Sequence, residues 1–270
     1  MTVALSSPGK SSPLFELELD DLDQPLLAVA VHHGHALRPE VEALVAVDDA
    51  RRRHEEDPLS GEWTTVAKNR LVALRSRFEV DLNRPPELAV YLEPEECWGL
   101  QPWKERPAPD VITRSLEEHA RFYRSAREAI ELLLSRNPRV LVLDLHSYNH
   151  RRGGPDAPPD DPSKNPDLNV GTGTMDRARW APVVDAFIAG ARAAGADGPI
   201  DVRENVRFFG GHFPAWVHRT FPDRACALAL EVKKTFMDEW TGTVDLARLA
   251  GWREILRAGT AAALGALEAL

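Results

Sequence analysis

Cysteine is scarce in this chain: 270 residues carry only Cys97 and Cys226, with no C-x-x-C spacing. That excludes a disulfide framework and a cysteine zinc cluster, and it predicts a protein of the reducing cytoplasm rather than a secreted scaffold. Long apolar runs are missing too. No stretch approaches the roughly 20 apolar residues a membrane helix requires, so no membrane partner is expected. Excess positive charge is also absent. The formal net charge is -9, and the basic clusters at residues 51–53 and Arg151-Arg152 are local and read as solvated faces. A nucleic-acid partner, which needs clustered Lys and Arg against phosphates, is therefore not expected. Before residue 25 the single basic residue is Lys10, with no apolar stretch behind it, so no signal peptide is read there. The G-x-S-x-G elbow, the P-loop and the G-x-G-x-x-G fingerprint are missing, which removes serine hydrolase, NTPase and dinucleotide-binding readings.

What is present is enough apolar material, 43% of residues, to bury a full core. Residues 1–25, opened by a Ser- and Pro-rich stretch, read as a flexible arm, and residues 26–270 as a single domain. The apolar run 26–31 predicts a buried strand. Residues 39–53 suit a helix, 71–82 an alternating strand-like segment and 88–92 another strand. From 112 to 135 the residues Leu116, Ala120, Tyr123, Ala126, Ile130 and Leu133 recur at three and four, which predicts an amphipathic helix ended by Pro138. Residues 140–145 and 225–232 read as central strands, separated by a Pro-, Gly- and Asp-rich loop at 151–169, a helix near 177–194, a short strand at 200–203 and a Gly210-Gly211 turn. One or two packing helices are expected over 245–270. Strands alternating with helices give an α/β fold.

Two of the apolar strands run straight into histidines: 26–31 into His32-His33-Gly34-His35, and 140–145 into His146-Ser147. Ligands of open α/β sheets bind beyond the carboxyl ends of strands, where such side chains converge. One strand-end histidine is usually a hydrogen-bonding residue; two favour a metal, because neutral imidazole binds zinc. A catalytic zinc needs a third ligand, and His54-Glu55-Glu56-Asp57-Pro58 is the obvious carboxylate source, although such a run is more often a solvated turn. Arg77, Asn83 and Arg84 supply guanidinium forks and an amide suited to a carboxylate or a carbonyl. Glu231 interrupts an apolar run, where burial raises a carboxyl toward the range of a general base.

Together these motifs resemble the N-formylglutamate amidohydrolase family, which is similar in fold to the zinc carboxypeptidases and the aspartoacylase group. The resemblance is carried by the strand leading to His32-His33-Gly34, by Ser76-Arg77 followed by Asp81-x-Asn83-Arg84, by His146-Ser147, and by Glu231 near a strand end. It implies a three-layer α/β fold, a mixed sheet flanked by helices of the zinc carboxypeptidase-like (phosphorylase/hydrolase-like) kind, and makes residues 26–270 one zinc amidohydrolase domain. It further implies one zinc ion held by His32, His146 and an acid, Asp57 first and Glu56 second. Glu231 is then the general base and acid, Arg77 the group that polarises the scissile carbonyl, and Asn83 with Arg84 the holders of a substrate carboxylate. The substrate is expected to be a small anionic amide, an N-acyl amino acid like N-formylglutamate. A carboxypeptidase-like peptidase and a non-catalytic ligand-binding protein on the same fold are the alternatives. His33 stands where relatives carry serine, and His35 follows, so the first ligand stays open by a residue. Trp98 and Trp103 belong to a distinctive loop at 93–103 that either packs over the sheet or lines the pocket. Lys233, on the face of Glu231 if the strand alternates, and Lys234 are candidates for positive charge nearby.

Overall fold

A computed structural model of the chain describes residues 12–196 and 198–270. Its elements follow in the order β1 (Phe15–Leu19), β2 (Leu26–Ala30), α1 (Pro39–Leu44), α2 (Asp49–Glu55), α3 (Ser60–Trp63), β3 (Asn69–Ala73), α4 (Pro109–Arg136), β4 (Val140–Tyr148), β5 (Leu168–Gly171), α5 (Ala181–Ala193), β6 (Val202–Glu204), α6 (His212–Thr220), β7 (Ala225–Lys233) and α7 (Leu246–Glu268). The seven strands form one sheet in the order β1-β3-β2-β4-β7-β5-β6. Strands β3, β2, β4 and β7 are mutually parallel, β1 runs antiparallel at one edge, and the parallel pair β5-β6 runs antiparallel to β7 at the other.

The continuous apolar runs of β2, β4 and β7 exist because both sheet faces are covered. Successive side chains alternate between two cores. Leu26, Ala28, Leu141, Leu143, Leu228 and Leu230 pack under α5 and α7, against Phe187 and Leu256. Leu27, Val29, Val140, Val142, Ala225 and Ala227 pack under α4 and α6, against Phe122, Ile130 and Val217. The result is the α/β fold that the alternation of strands and helices predicts, with the three layers and mixed sheet that the family resemblance implies. A third apolar cluster, with Phe78, Tyr91 and Trp103, lies beneath the loops between β3 and α4. Among the described residues no helix is long and apolar enough to cross a membrane.

Several expectations change. Residues 1–11 of the expected arm lie outside the described residues, but 15–19 form β1. There Phe15, Leu17 and Leu19 alternate with acids, and Asn69 Nδ2 donates to the carbonyls of Asp21 and Leu26 at 2.8 and 3.0 Å, tying the segment to β3. Residues 39–53 split into α1 and α2, because Val45 bridges to Trp103 and Asp48 caps α2 by accepting from the Arg51 amide. The segment 71–82 is strand only to Ala73; the Ser76 amide then bonds the Ala36 carbonyl and the chain turns at Ser76 and Glu79. Residues 88–92 form no strand, although the Ala89 carbonyl accepts from the Asp81 amide at 2.7 Å. Helix α4 buries Ser115, His119 and Phe122 in its first half rather than Leu116, Ala120 and Tyr123; His119 is satisfied by the Arg84 carbonyl at 2.9 Å. Strand β5, at the end of the expected loop, and helix α6, after the Gly210-Gly211 turn, are additions, and 246–268 is one helix.

Candidate metal centre and active site

The parallel pairing of β4 with β7 sets His146 opposite Glu231, and because both have the parity of the face under α4 and α6 they emerge side by side at the carboxyl end of the sheet. His32 follows β2, the other neighbour of β4. Its loop lies flat on β3: an ideal Cβ at Gly34 would fall 2.2 Å from the Leu74 carbonyl carbon, a distance only glycine permits. The ends of β2, β4 and β7 therefore open into one crevice.

His32, Asp57 and His146 converge there, all buried, with one ligand atom from each within 4.8 Å of the others. Asp57 Oδ2 lies 3.4 Å from His32 Nδ1 and 2.9 Å from His146 Nδ1. Ligands about 2.0–2.1 Å from a tetrahedral zinc stand roughly 3.3 Å apart, so these spacings suit such an ion. The far nitrogens both have a carboxylate beside them: His32 Nε2 donates to Asp81 Oδ1 at 2.7 Å, and His146 Nε2 lies 3.0 Å from Asp144 Oδ2 as a charge neighbour without a formed hydrogen bond. With a carboxylate beside Nε2 to keep a proton there, Nδ1 of each imidazole can turn its lone pair to an ion next to Asp57, the arrangement in which outer carboxylates orient metal-binding histidines; without an ion, Nδ1 carries the proton and pairs with the Asp57 carboxylate. Burial alone would raise the Asp57 carboxyl, but hydrogen bonds and charge from His146 and His32 hold it well below the usual range.

Of the adjacent acids, Asp57 faces the crevice and Glu56 faces away. The Asp57 amide bonds the His32 carbonyl at 3.0 Å. Glu56 Oε2 takes His35 Nδ1 at 2.5 Å and its Oε1 accepts from Ser76 Oγ. Glu56 and His35 thus brace the loop from behind. His33 packs its ring against Gly61 near a separate cavity, so His32 alone of the three neighbours meets Asp57 among the described residues.

The crevice is a cavity of about 390 Å³. His32, Asp57, Arg77, Asn83, His146 and Glu231 all line it; Glu56 and Arg84 do not. Burial pushes the Glu231 carboxyl up to about 7, the positive pull of His146 only partly opposing this. Burial would lower the His146 imidazole, but Asp144 and Glu231 hold it well above its usual range. Arg77 donates to Asp81 Oδ2 at 2.7 Å and to Tyr91 Oη at 2.9 Å, and Asp81 keeps its guanidinium charged against the cost of burial. Asn83 Nδ2 stands 3.5 Å from His146 Nε2, and its amide oxygen accepts from the Phe213 amide. Here too glycine allows the approach, because a Cβ at Gly211 would fall 2.3 Å from the Asn83 side chain. Arg84 instead stacks on the Tyr91 ring at 4.6 Å, beside Asp81.

Other residues gain a place. Asp81, part of a motif but given no role there, is itself fully buried and joins His32, Arg77 and Tyr91 in one network. Asp144 was visible only as the polar interruption of an apolar strand. Lys234, not Lys233, reaches the cavity: the chain leaves β7 at Lys233, which pairs with Asp167 at 2.7 Å. Lys234 Nζ donates to the carbonyls of His54 and Glu56 at 2.9 and 2.7 Å, on either side of the turn before Asp57. Arg152 and Arg207 add further positive charge to the lining. Trp98 lines the cavity, while Trp103 is buried, donating to the Tyr91 carbonyl.

A family model described as N-formylglutamate amidohydrolase matches residues 24–237. A search of curated protein sequences gives no match. Among solved structures, an N-formylglutamate amidohydrolase from Ralstonia eutropha JMP134 superposes with a TM-score of 0.74 at 18% identity, covering 96% of this chain and 100% of that one. A gene product of Agrobacterium tumefaciens superposes with a TM-score of 0.66 at 17% identity, covering 95% and 97%. A putative carboxypeptidase A from Shewanella denitrificans OS-217 gives 0.45 at 14% identity, covering 98% and 64%.

Proposed function

The chain belongs to the N-formylglutamate amidohydrolase family, and from that premise we propose that it hydrolyses the amide bond of a small anionic N-acyl amino acid with one zinc ion held by His32, Asp57 and His146. The observation that carries this reading is the convergence of two imidazole Nδ1 atoms on the Asp57 carboxylate, beside the half-buried acid Glu231. When bound, zinc supplies Lewis acidity, lowering the pKa of water to about 7 and polarising a carbonyl.

The protein's own residues do the rest. Glu231 accepts the proton of the attacking water, whose oxygen bonds to the acyl carbon. It then returns that proton to the amide nitrogen as the C–N bond breaks, releasing a carboxylic acid and an amine, which exchange the acid's proton to leave as a carboxylate and an ammonium. Arg77, held flat by Asp81 and Tyr91, directs positive charge at the carbonyl oxygen as negative charge builds there. Asn83 orients the substrate carboxylate, and Arg152, Arg207 and Lys234 favour an anion in the cavity. Arg84 acts from behind, through Asp81 and Tyr91.

The test measures the metal content of purified protein and the hydrolysis of N-formyl-L-glutamate before chelation, after it, and after zinc is restored. Activity should vanish and return. Activity that survives complete removal of metal, or a protein that binds no transition metal, would sink the mechanism.

A further inference from the structure

Singly exposed apolar side chains are ordinary, but in this molecule the exposed aromatics are not scattered. Among the described residues the exposed Trp, Phe and Tyr side chains are Trp98, 41% accessible, and Phe209, 58% accessible, and both line the same cavity as Glu231. The exposed leucines, Leu88, Leu132, Leu246 and Leu270, do not line it.

Each ring is set at this mouth by local structure, and one side of Trp98 also rests against the buried rings of Phe78 and Tyr91, with centroids 6.3 and 6.1 Å away. Trp98 has φ of +57°, a left-handed conformation unfavourable for a bulky residue. The turn that imposes it is pinned by a capping box between Glu93 and Glu96 and by the Gly99 amide on the Pro94 carbonyl at 2.8 Å. The indole then lies over the Arg77 guanidinium, 4.7 Å from ring centre to charge. Its neighbour Trp103 does the packing of the same loop from a buried position. Phe209 is anchored through its carbonyl, which accepts from the Gly173 amide at 2.7 Å, while its ring stays exposed. Phe208 and Tyr148, under the Arg207 guanidinium, continue an aromatic lining inward.

A formyl group or a small aliphatic side chain covers little of such a surface, whereas a flat apolar group gains by leaving water against it. The cations of the cavity still call for a carboxylate. We propose that the preferred substrate is a carboxylate-bearing amide with an aromatic group beside the scissile bond, an inference that rests on the amide-hydrolase reading above and refines it. The aromatic group belongs either to the amino acid or to the acyl part, and the experiment separates these.

Binding is measured by calorimetry to the zinc-loaded Glu231→Gln protein, which is expected to bind amides without turning them over. Two pairs are compared: N-formyl-L-phenylalanine with N-formyl-L-alanine, and N-benzoyl-L-glutamate with N-formyl-L-glutamate. In one pair the aromatic member should bind at least about tenfold more tightly, and the pair that does so identifies the source. Adding Phe209→Ala, or separately Trp98→Ala, should reduce that ratio at least about threefold. Phe209 is the safer variant because its ring is exposed. Ratios near one in both pairs, or ratios unchanged in both variants, would overturn the proposal. An aromatic preference in binding, with no hydrolysis of any of the four amides by the unsubstituted protein, would leave the aromatic-binding site standing but overturn the hydrolase reading, and with it the claim that these amides are substrates.

Discussion

The two halves of the site are made rigid in different ways. His146 and Glu231 stand on β4 and β7, strands matched over nine consecutive residue pairs, so their separation is set by a backbone ladder. Arg77, Asn83 and Trp98 come from the turns between β3 and α4, where no comparable ladder exists. There a buried side-chain hub takes its place: Asp81 accepts from His32, Arg77, Tyr91 and the Asn83 amide. The contrast teaches that a loop can hold a site as firmly as a strand when a fully satisfied buried carboxylate gathers its parts, and that such a loop depends on one residue.

The largest effect is expected on the strand-held half. Glu231→Gln should lower kcat by about 10²- to 10⁴-fold while metal content stays unchanged, because only proton transfer is removed. Its carboxyl, raised to about 7 by burial, must be unprotonated to act as a base. The rate should therefore climb with pH along an acidic limb at or below about 7, since a bound cation draws the pKa down, and Gln should erase that limb. Without metal, an acid whose folded pKa is raised contributes stability below its unfolded value and loses it as pH rises through the folded one. Metal-free Glu231→Gln should accordingly melt higher than the unsubstituted protein near pH 8, relative to their difference near pH 4. An acidic limb that survives the substitution would assign the base elsewhere.

Next comes the loop-held half. Arg77→Ala should cost about 10²- to 10³-fold in kcat, whereas Arg84→Ala, off the cavity lining, should cost less than about tenfold. Equal losses would mean that Arg84 touches substrate after all.

The hub gives the smaller and more discriminating effects. Asp81→Asn and Asp144→Asn should each weaken zinc binding by roughly 10- to 100-fold, since each orients one histidine. Only Asp81→Asn should also erase most of the further loss caused by Arg77→Ala, in a double-mutant cycle on kcat. Coupling of Asp144 to Arg77 of the same size would dissolve the distinction between the two halves. Glu56→Gln, which braces the loop from behind, should disturb zinc binding less than Asp57→Asn; the reverse order would exchange the ligand.

The strand-held half was the more legible in sequence for the same reason that it is rigid. A buried parallel strand must be a continuous apolar run, so His146 and Glu231 stand out as chemistry at its end, and His32 does likewise after β2. In the loop half the residue types were visible but their directions were not. The segment from 71 to 82 alternates enough to read as a strand, yet it turns after Ala73, which sends Arg77 and Asn83 to the cavity and Arg84 onto Tyr91. Glu56 and Asp57 are chemically alike, and their opposite directions follow from the end of α2, where one residue of rotation separates the His35–Ser76 side from the side of His32 and His146. Strand β1 went unread because Ser and Pro dominate the start of the chain, although its alternation of Phe and Leu with acids was present.

Sequence by itself determined the α/β class and the kinds of group available to the site, because burial on both sheet faces writes itself into continuous apolar runs and any polar residue that ends or interrupts them stands out. Tertiary structure alone decided which acid meets the histidines, which arginine lines the cavity, and that Asp81 joins both halves. Those outcomes depend on the direction of single side chains across contacts such as that of His32 with Asp81, 49 positions apart in the chain, and no local pattern records such a direction.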